Sequence, residues 1–273
     1  MRGILTFVSW VIVIFILFFE AWINFKWFGV IGASVIIFGI FYYVNRAQLM
    51  FMGASAKFNT GDKKSAFEKY EKAYKTGKLK PTNALFYAYL LLRDGQIEKS
   101  ENLIDEIYTK YNKILLPNDK INVSINKALI KWKKGDVKGA IADAKSLYDS
   151  GIKTTALYGI MGYWYILDEK YDEALKINEE AYEYNESDQI ICDNLAQNYF
   201  LTGNKEKSEE MYKELLSKEP NFIEPYYNYG MILKSNGNFE GAKEYFKKAL
   251  TMEEKFLSTV THNMVNSELS KLC

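Results

Sequence analysis

Residues 223–256 read IEPYYNYGMILKSNGNFEGAKEYFKKALTMEEKF. The same pattern returns at steps of about 34 residues back to Ala47. In its first half Tyr226, Tyr229, Gly230 and Leu233 recur at three- and four-residue spacing, which puts them on one helix face. Gly237 supplies a residue able to take positive φ just past the helix end. Asn238 then fits the N-cap of a second helix, whose Phe239, Ala242, Phe246 and Ala249 share a face. Small Gly230 and Ala242 let the two helices approach, and Tyr226 and Phe246 fill the space beside them. One such hairpin cannot bury its apolar faces alone, so copies must stack.

The register is constant. Gly230 corresponds to Ala196, Gly162, Ala128, Ala88 and Ala54. Ala242 corresponds to Ser208, Ala174, Ala140, Ser100 and Ala66. The turn residue Gly237 corresponds to Gly203, Glu169, Gly135, Gly95 and Gly61. Glu169 departs from the pattern, which predicts a less regular turn there. On these residues the chain resembles the tetratricopeptide repeat family, and Pro220 stands where that family commonly ends its second helix. The resemblance implies an all-α, right-handed superhelical solenoid of six helix-turn-helix repeats, at 47–80, 81–114, 121–154, 155–188, 189–222 and 223–256. The register slips by six residues at 115–120. Pro117 cannot sit in a helix interior without losing a hydrogen bond, so this stretch reads as a longer loop. Beyond Phe256, the residues Leu257, Val260, Met264, Val265 and Leu269 are near helical spacing, which predicts a C-terminal capping helix over 257–273.

Residues 4–44 are almost wholly apolar. Ile4–Ile23 holds one charge, Glu20, and Trp27–Val44 holds none. Each stretch approaches the roughly 20 residues needed to cross a bilayer. A polar break, Asn24-Phe25-Lys26, separates them, and Trp22, Trp27, Tyr42 and Tyr43 stand where interfacial aromatics belong. Residues 1–46 therefore read as a transmembrane hairpin, with helices at about 4–23 and 27–44. A cleaved signal peptide would have a shorter apolar core and a small-residue cleavage site. Arg2 and Arg46 flank the hairpin, so the positive-inside rule places both termini, and the repeats, in the cytoplasm. The expected location is the cell membrane, as a multi-pass protein. Ala47 follows at once, so the first repeat helix is expected to continue the second span.

Charge excludes one class of partner. The chain has 35 basic and 34 acidic residues. Without Arg2, Lys26, Arg46 and Glu20 the rest carries a slight acidic excess, where a nucleic-acid surface needs a basic one. Cys192 falls on a packing face and Cys273 ends the sequence without the residues of a prenylation box. Two isolated cysteines give neither a disulfide framework nor a zinc site. The abundance of Lys, Asn, Ile and Tyr points to an AT-rich bacterial genome.

No chemistry stands out. His262 is the sole histidine, so neither a transition-metal site nor a Ser-His-Asp triad is expected. Neither a phosphate-binding loop nor any other cofactor site is present, and no enzyme activity or small-molecule substrate is predicted. The family resemblance implies a concave surface lined by the first helices. Helical phase assigns to it Phe51, Phe58, Tyr89, Arg93, Trp132, Lys133, Tyr163, Phe200, Tyr227 and Met231, with Asp193 among their neighbours. The expected function is a membrane-anchored adaptor that binds a protein or peptide in this groove and the lipid bilayer through residues 4–44. The family's carboxylate clamp is not carried over, because the matching positions are mainly aromatic or aliphatic. The alternatives are an assembly factor acting through its membrane hairpin and an accessory subunit of a membrane enzyme.

Overall fold

A computed structural model describes the backbone of residues 2–272 and the side chains of residues 12–272 other than Ala21 and Phe25. The Arg2 side chain and Cys273, invoked above, lie outside these residues, as do the side chains of the first part of the 4–23 segment. The described residues form thirteen helices and no strand. They are α1 (Arg2–Asn59), α2 (Lys63–Lys75), α3 (Pro81–Arg93), α4 (Ile97–Tyr111), α5 (Pro117–Lys133), α6 (Val137–Asp149), α7 (Thr155–Leu167), α8 (Tyr171–Tyr184), α9 (Gln189–Leu201), α10 (Lys205–Ser217), α11 (Glu224–Ser235), α12 (Phe239–Leu250) and α13 (His262–Ser270). The chain divides into two compact units, Met1–Asn83 and Ala84–Cys273.

In the first unit α1 is interrupted once, at Lys26 (φ 51°, ψ −136°). From Lys26 to Asn59 the helix runs for 34 residues without a break and is long and apolar enough to cross a membrane. Phe28, Val35, Phe38, Phe41 and Tyr42 are exposed along it. Before Lys26 the helix begins at Arg2, and its side chains are described from Ile12 onward, where Ile12–Asn24 is a shorter apolar stretch. So where the sequence predicts two spans, one described helix meets the length. At the end of the apolar stretch Arg46 and Lys78 both lie over the Tyr43 ring, 4.9 and 4.5 Å from its centre. The far end of α1 packs against α2. Ala54 and Ala66 are fully buried, and the Tyr70 hydroxyl lies 2.9 Å from Ser55 Oγ.

The second unit is built from helix pairs whose close approach depends on small residues. Ala88, Ala128 and Ala196 on the first helices are fully buried, as are Ser100, Ala140, Ala174, Ser208 and Ala242 on the second. Where the small residue is serine, its hydroxyl donates to the carbonyl it faces: Ser100 Oγ to Ala88 O at 2.7 Å and Ser208 Oγ to Ala196 O at 2.6 Å. Two positions demand glycine. A Cβ on Gly230 would lie 2.6 Å from the Phe246 ring, and one on Gly162 would lie 1.7 Å from Asn178 Oδ1. Between the paired helices the turns share one geometry. A residue with positive φ precedes an N–H that returns to a carbonyl of the first helix, as in Gln96 to Leu91, Asp136 to Lys131 and Asn238 to Leu233.

Three expectations are corrected. Glu169 does not loosen its turn: it takes φ 58° like the glycines, and Lys170 N donates to Tyr165 O at 2.9 Å. The packing of α7 on α8 imposes the conformation on a residue that disfavours it. Residues 115–120 are not all loop, because α5 begins at Pro117 and gains a turn. Proline is tolerated at the first helical position, where its missing N–H is not needed. The capping helix covers only His262–Ser270. Leu257 and Val260 are outside it, because the backbone N–H groups of Thr259 and Val260 bond to Glu224 on α11 instead of to a helix of their own.

Candidate functional site

The segment between α12 and α13 builds the most constrained feature of the second unit. Its ends meet: His262 Nε2 lies 2.9 Å from Met252 O, and His262 N donates to Glu254 Oε2 at 2.6 Å. Ser258 N donates to Lys255 O at 2.9 Å and closes a turn at the tip. Thr261 caps α13 by accepting from Met264 N. Residues 252–262 are thus a loop with closed ends and an ordered tip, the form of an Ω-loop.

The tip lies across the first helices. The Phe256 ring lies 3.2 Å from where a Cβ on Gly95 would be, a tight contact. Gly95 (φ 79°) meets two demands at once, the left-handed turn and the room for this ring. The Lys133 ammonium, at the end of α5, lies 4.7 Å from the centre of Phe256 and 4.5 Å from that of Trp132. Such a stacked cation is stabilising, more so when partly desolvated. Further along, Glu224 Oε1 accepts from Thr259 N at 2.6 Å, from Thr259 Oγ1 at 3.1 Å and from Val260 N at 3.4 Å. The Tyr163 hydroxyl on α7 faces Thr259 as well. Glu224 is buried, and these donors replace the water it has lost.

Charge on this face is set by burial. Desolvation holds the Lys133 ammonium below the usual lysine range, and Glu224 and Glu254 partly offset that. Asp193 on α9 is buried and accepts at Oδ1 from Tyr212 Oη at 3.0 Å and from Asn228 Nδ2 at 3.2 Å. Burial, then the nearby Glu224 charge, pushes its carboxyl up to about 7. Cys192 beside it is pushed up to about 11 by burial, which leaves an unreactive thiol. Among the described residues no group of three His, Cys, Asp or Glu side chains could hold a metal ion.

The ten predicted groove residues separate into three groups. Trp132, Lys133 and Tyr163 come together: the Trp132 and Tyr163 rings are 6.2 Å apart, and the 252–262 loop covers Lys133 and Tyr163. Tyr89 and Arg93 stack on each other at 5.7 Å, with Arg93 exposed. The remainder pack mainly inside hairpins. Phe51 lies 5.1 Å from Tyr70, Phe58 6.2 Å from Phe67 and Tyr227 5.7 Å from Phe246. Phe200 and Met231 pack against the α9–α12 core. Gly95, Glu224, Phe256 and Thr259 were missed. One signal was available: Ser258-Thr259-Val260-Thr261 is a run of poor helix formers inside the supposed capping helix.

The sequence model of the tetratricopeptide repeat matches residues 191–222 and 223–256. Among solved structures, a tetratricopeptide repeat protein from Parabacteroides merdae is similar at 14% identity, covering 95% of this chain and 98% of that one with a TM-score of 0.65. A thermophilic tetratricopeptide protein of Thermus thermophilus is similar at 16% identity, covering 71% of this chain and 98% of that one with a TM-score of 0.55. The chain has the fold of the tetratricopeptide repeat proteins, and residues 191–256 carry the sequence pattern of the repeat itself.

Proposed function

We propose that this protein is a membrane-anchored adaptor whose first-helix face holds a polypeptide segment of a partner. Proteins of the tetratricopeptide fold generally serve protein–protein interaction. One observation carries the reading to this chain. Side chains from α5, α7 and α11, with the Gly95 turn, jointly grip a stretch of non-helical polypeptide at 256–260. A face that binds backbone N–H groups and an aromatic ring of its own chain has the chemistry to bind those of another. The six repeats read from the sequence, at 47–256, form the scaffold in this proposal.

A photo-crosslinking residue at Arg93, exposed at the end of α3, should trap a defined partner protein in native membranes. The same residue at Lys176, exposed on α8, should not. Equal trapping at both positions would sink the groove reading.

The anchor is proposed as a membrane hairpin with both termini in the cytoplasm. The break at Lys26, the long exposed apolar helix after it and the two cations at Tyr43 support this. Exposed apolar surface of that extent requires a cover. With Lys26→Cys, Cys192→Ser and Cys273→Ser, a membrane-impermeant thiol reagent applied to intact cells should label position 26. A cysteine introduced at Lys176 should stay unlabelled until lysis. If position 26 also needs lysis, the hairpin is wrong, and the assembly-factor alternative that depends on it falls too.

A further inference from the structure

Stacked repeats ordinarily touch only their neighbours. The 252–262 loop is different, because it leaves the last hairpin and reaches the Gly95 turn and the ends of α5 and α7. Two roles suit such a loop. It could be a fixed staple, or it could be a resident occupant of a surface meant for something else. Burial separates them. A staple needs apolar side chains sunk between helices. Here Lys255, Phe256, Leu257, Ser258 and Thr259 each keep part of their surface in water, and Val260 alone at the tip is fully buried. The loop is held by that one valine in the α9–α13 core, a few polar bonds and one ring on a cation. Few buried apolar contacts mean a low free energy of local opening.

The surface beneath would stay ready for another chain. It offers a glycine turn with room for a ring, a Lys133 ammonium over that room, and a buried Glu224 carboxylate with acceptor capacity. The Tyr163 hydroxyl completes it. Without the loop, Glu224 Oε1 would lose three donors, and water would have to replace them. The face therefore favours an occupant that restores both features.

Resting on the groove reading above, we propose that residues 254–260 are a displaceable resident ligand. The partner segment that replaces them carries an aromatic side chain and, three residues later, a serine or threonine whose N–H and hydroxyl bond to Glu224. The loop then acts as an internal competitor, lowering apparent affinity by the fraction of time it is bound.

The probe is a labelled synthetic peptide of residues 252–262, MEEKFLSTVTH, titrated into the full chain in detergent. Phe256→Ala with Thr259→Val weakens the resident loop and should bind the peptide at least about tenfold more tightly than the wild type. Adding Glu224→Gln should abolish the gain. Helicity by circular dichroism confirms that each variant is folded. In the wild type, the Thr259 and Val260 amides should exchange hydrogen at least about tenfold faster than amides of the α11–α12 core. Exchange as slow as the core would make the loop a fixed staple and overturn the proposal, as would a folded double variant that binds no better. If the loop fails these tests while Arg93 still traps a partner, the groove reading stands and only the resident-ligand idea falls. If Arg93 also traps nothing in the loop-weakened variant, both fall.

Discussion

Truncating Phe246 to alanine should lower the unfolding free energy by about 4 kcal/mol, the scale for deleting a fully buried aromatic ring. Phe246 is completely buried at the centre of the last hairpin, with Tyr227 at 5.7 Å and the backbone of Gly230 beneath its ring. The reciprocal change, Gly230→Ala, places a Cβ 2.6 Å from the same ring and should cost about 1–3 kcal/mol through overpacking. The two losses should not add. With Phe246 already alanine the new methyl has space to occupy, so the double variant should be more stable than the sum of the single changes implies. Urea denaturation of the four proteins measures this coupling. A strictly additive cycle would show that the glycine is not there for the ring.

The second large effect is on pH. Asp193 holds its proton to about pH 7 in the folded chain, against an ordinary value of 3.8. Between those values the folded state binds a proton that the unfolded state has released. Stability therefore falls as pH rises through this window, and the loss is complete above about 7. Three units correspond to roughly 4 kcal/mol at most. The groups facing the carboxyl are Glu224 and Asn228 on α11, Tyr212 on α10 and Tyr163 on α7. Glu224, the charged one, opposes ionisation. Melting temperature should be higher at pH 5 than at pH 8. Asp193→Asn keeps an oxygen acceptor for Tyr212 and Asn228 but cannot ionise, so it should flatten that slope and melt higher than the wild type at pH 8. An unchanged slope in the variant would assign the pH dependence to other groups.

A second charged cluster works in the opposite direction. Glu180 on α8 is held by Lys153 and by the Tyr148 and Tyr158 hydroxyls. The hydrogen bonds from Lys153 and Tyr148 bring its carboxyl down to about 2. It thus joins α6, the α6–α7 turn and α7 to α8 at any pH where Asp193 titrates. Its own titration therefore lies below the pH 5–8 window.

The hairpin grammar was legible because it is local. Helical spacing, the glycine at each turn and the asparagine or aspartate after it act within one helix pair, so a single chain displays them. The small residues at Gly230 and Gly162 were legible for the same reason, although the groups that fill their missing Cβ space, the Phe246 ring and the Asn178 oxygen, are tertiary facts. Glu169 was misread because propensity was weighed without the packing of α7 on α8, which fixes the turn whatever residue occupies it. Pro117 was misread because the sequence does not say where a helix starts, and proline is excluded from the interior only.

The sequence by itself determined an all-helical stack of hairpins, an apolar N-terminal segment and the general position of Trp132, Lys133 and Tyr163. Those follow from periodicity and composition, which are properties of short windows. Only the tertiary structure decided what covers those three residues. Phe256 meets Gly95, and Thr259 meets Glu224 and Tyr163, through contacts between elements far apart in the chain. No periodicity encodes such contacts, because they depend on how the loop after α12 closes on itself at Met252 and His262 and where that closure aims its tip.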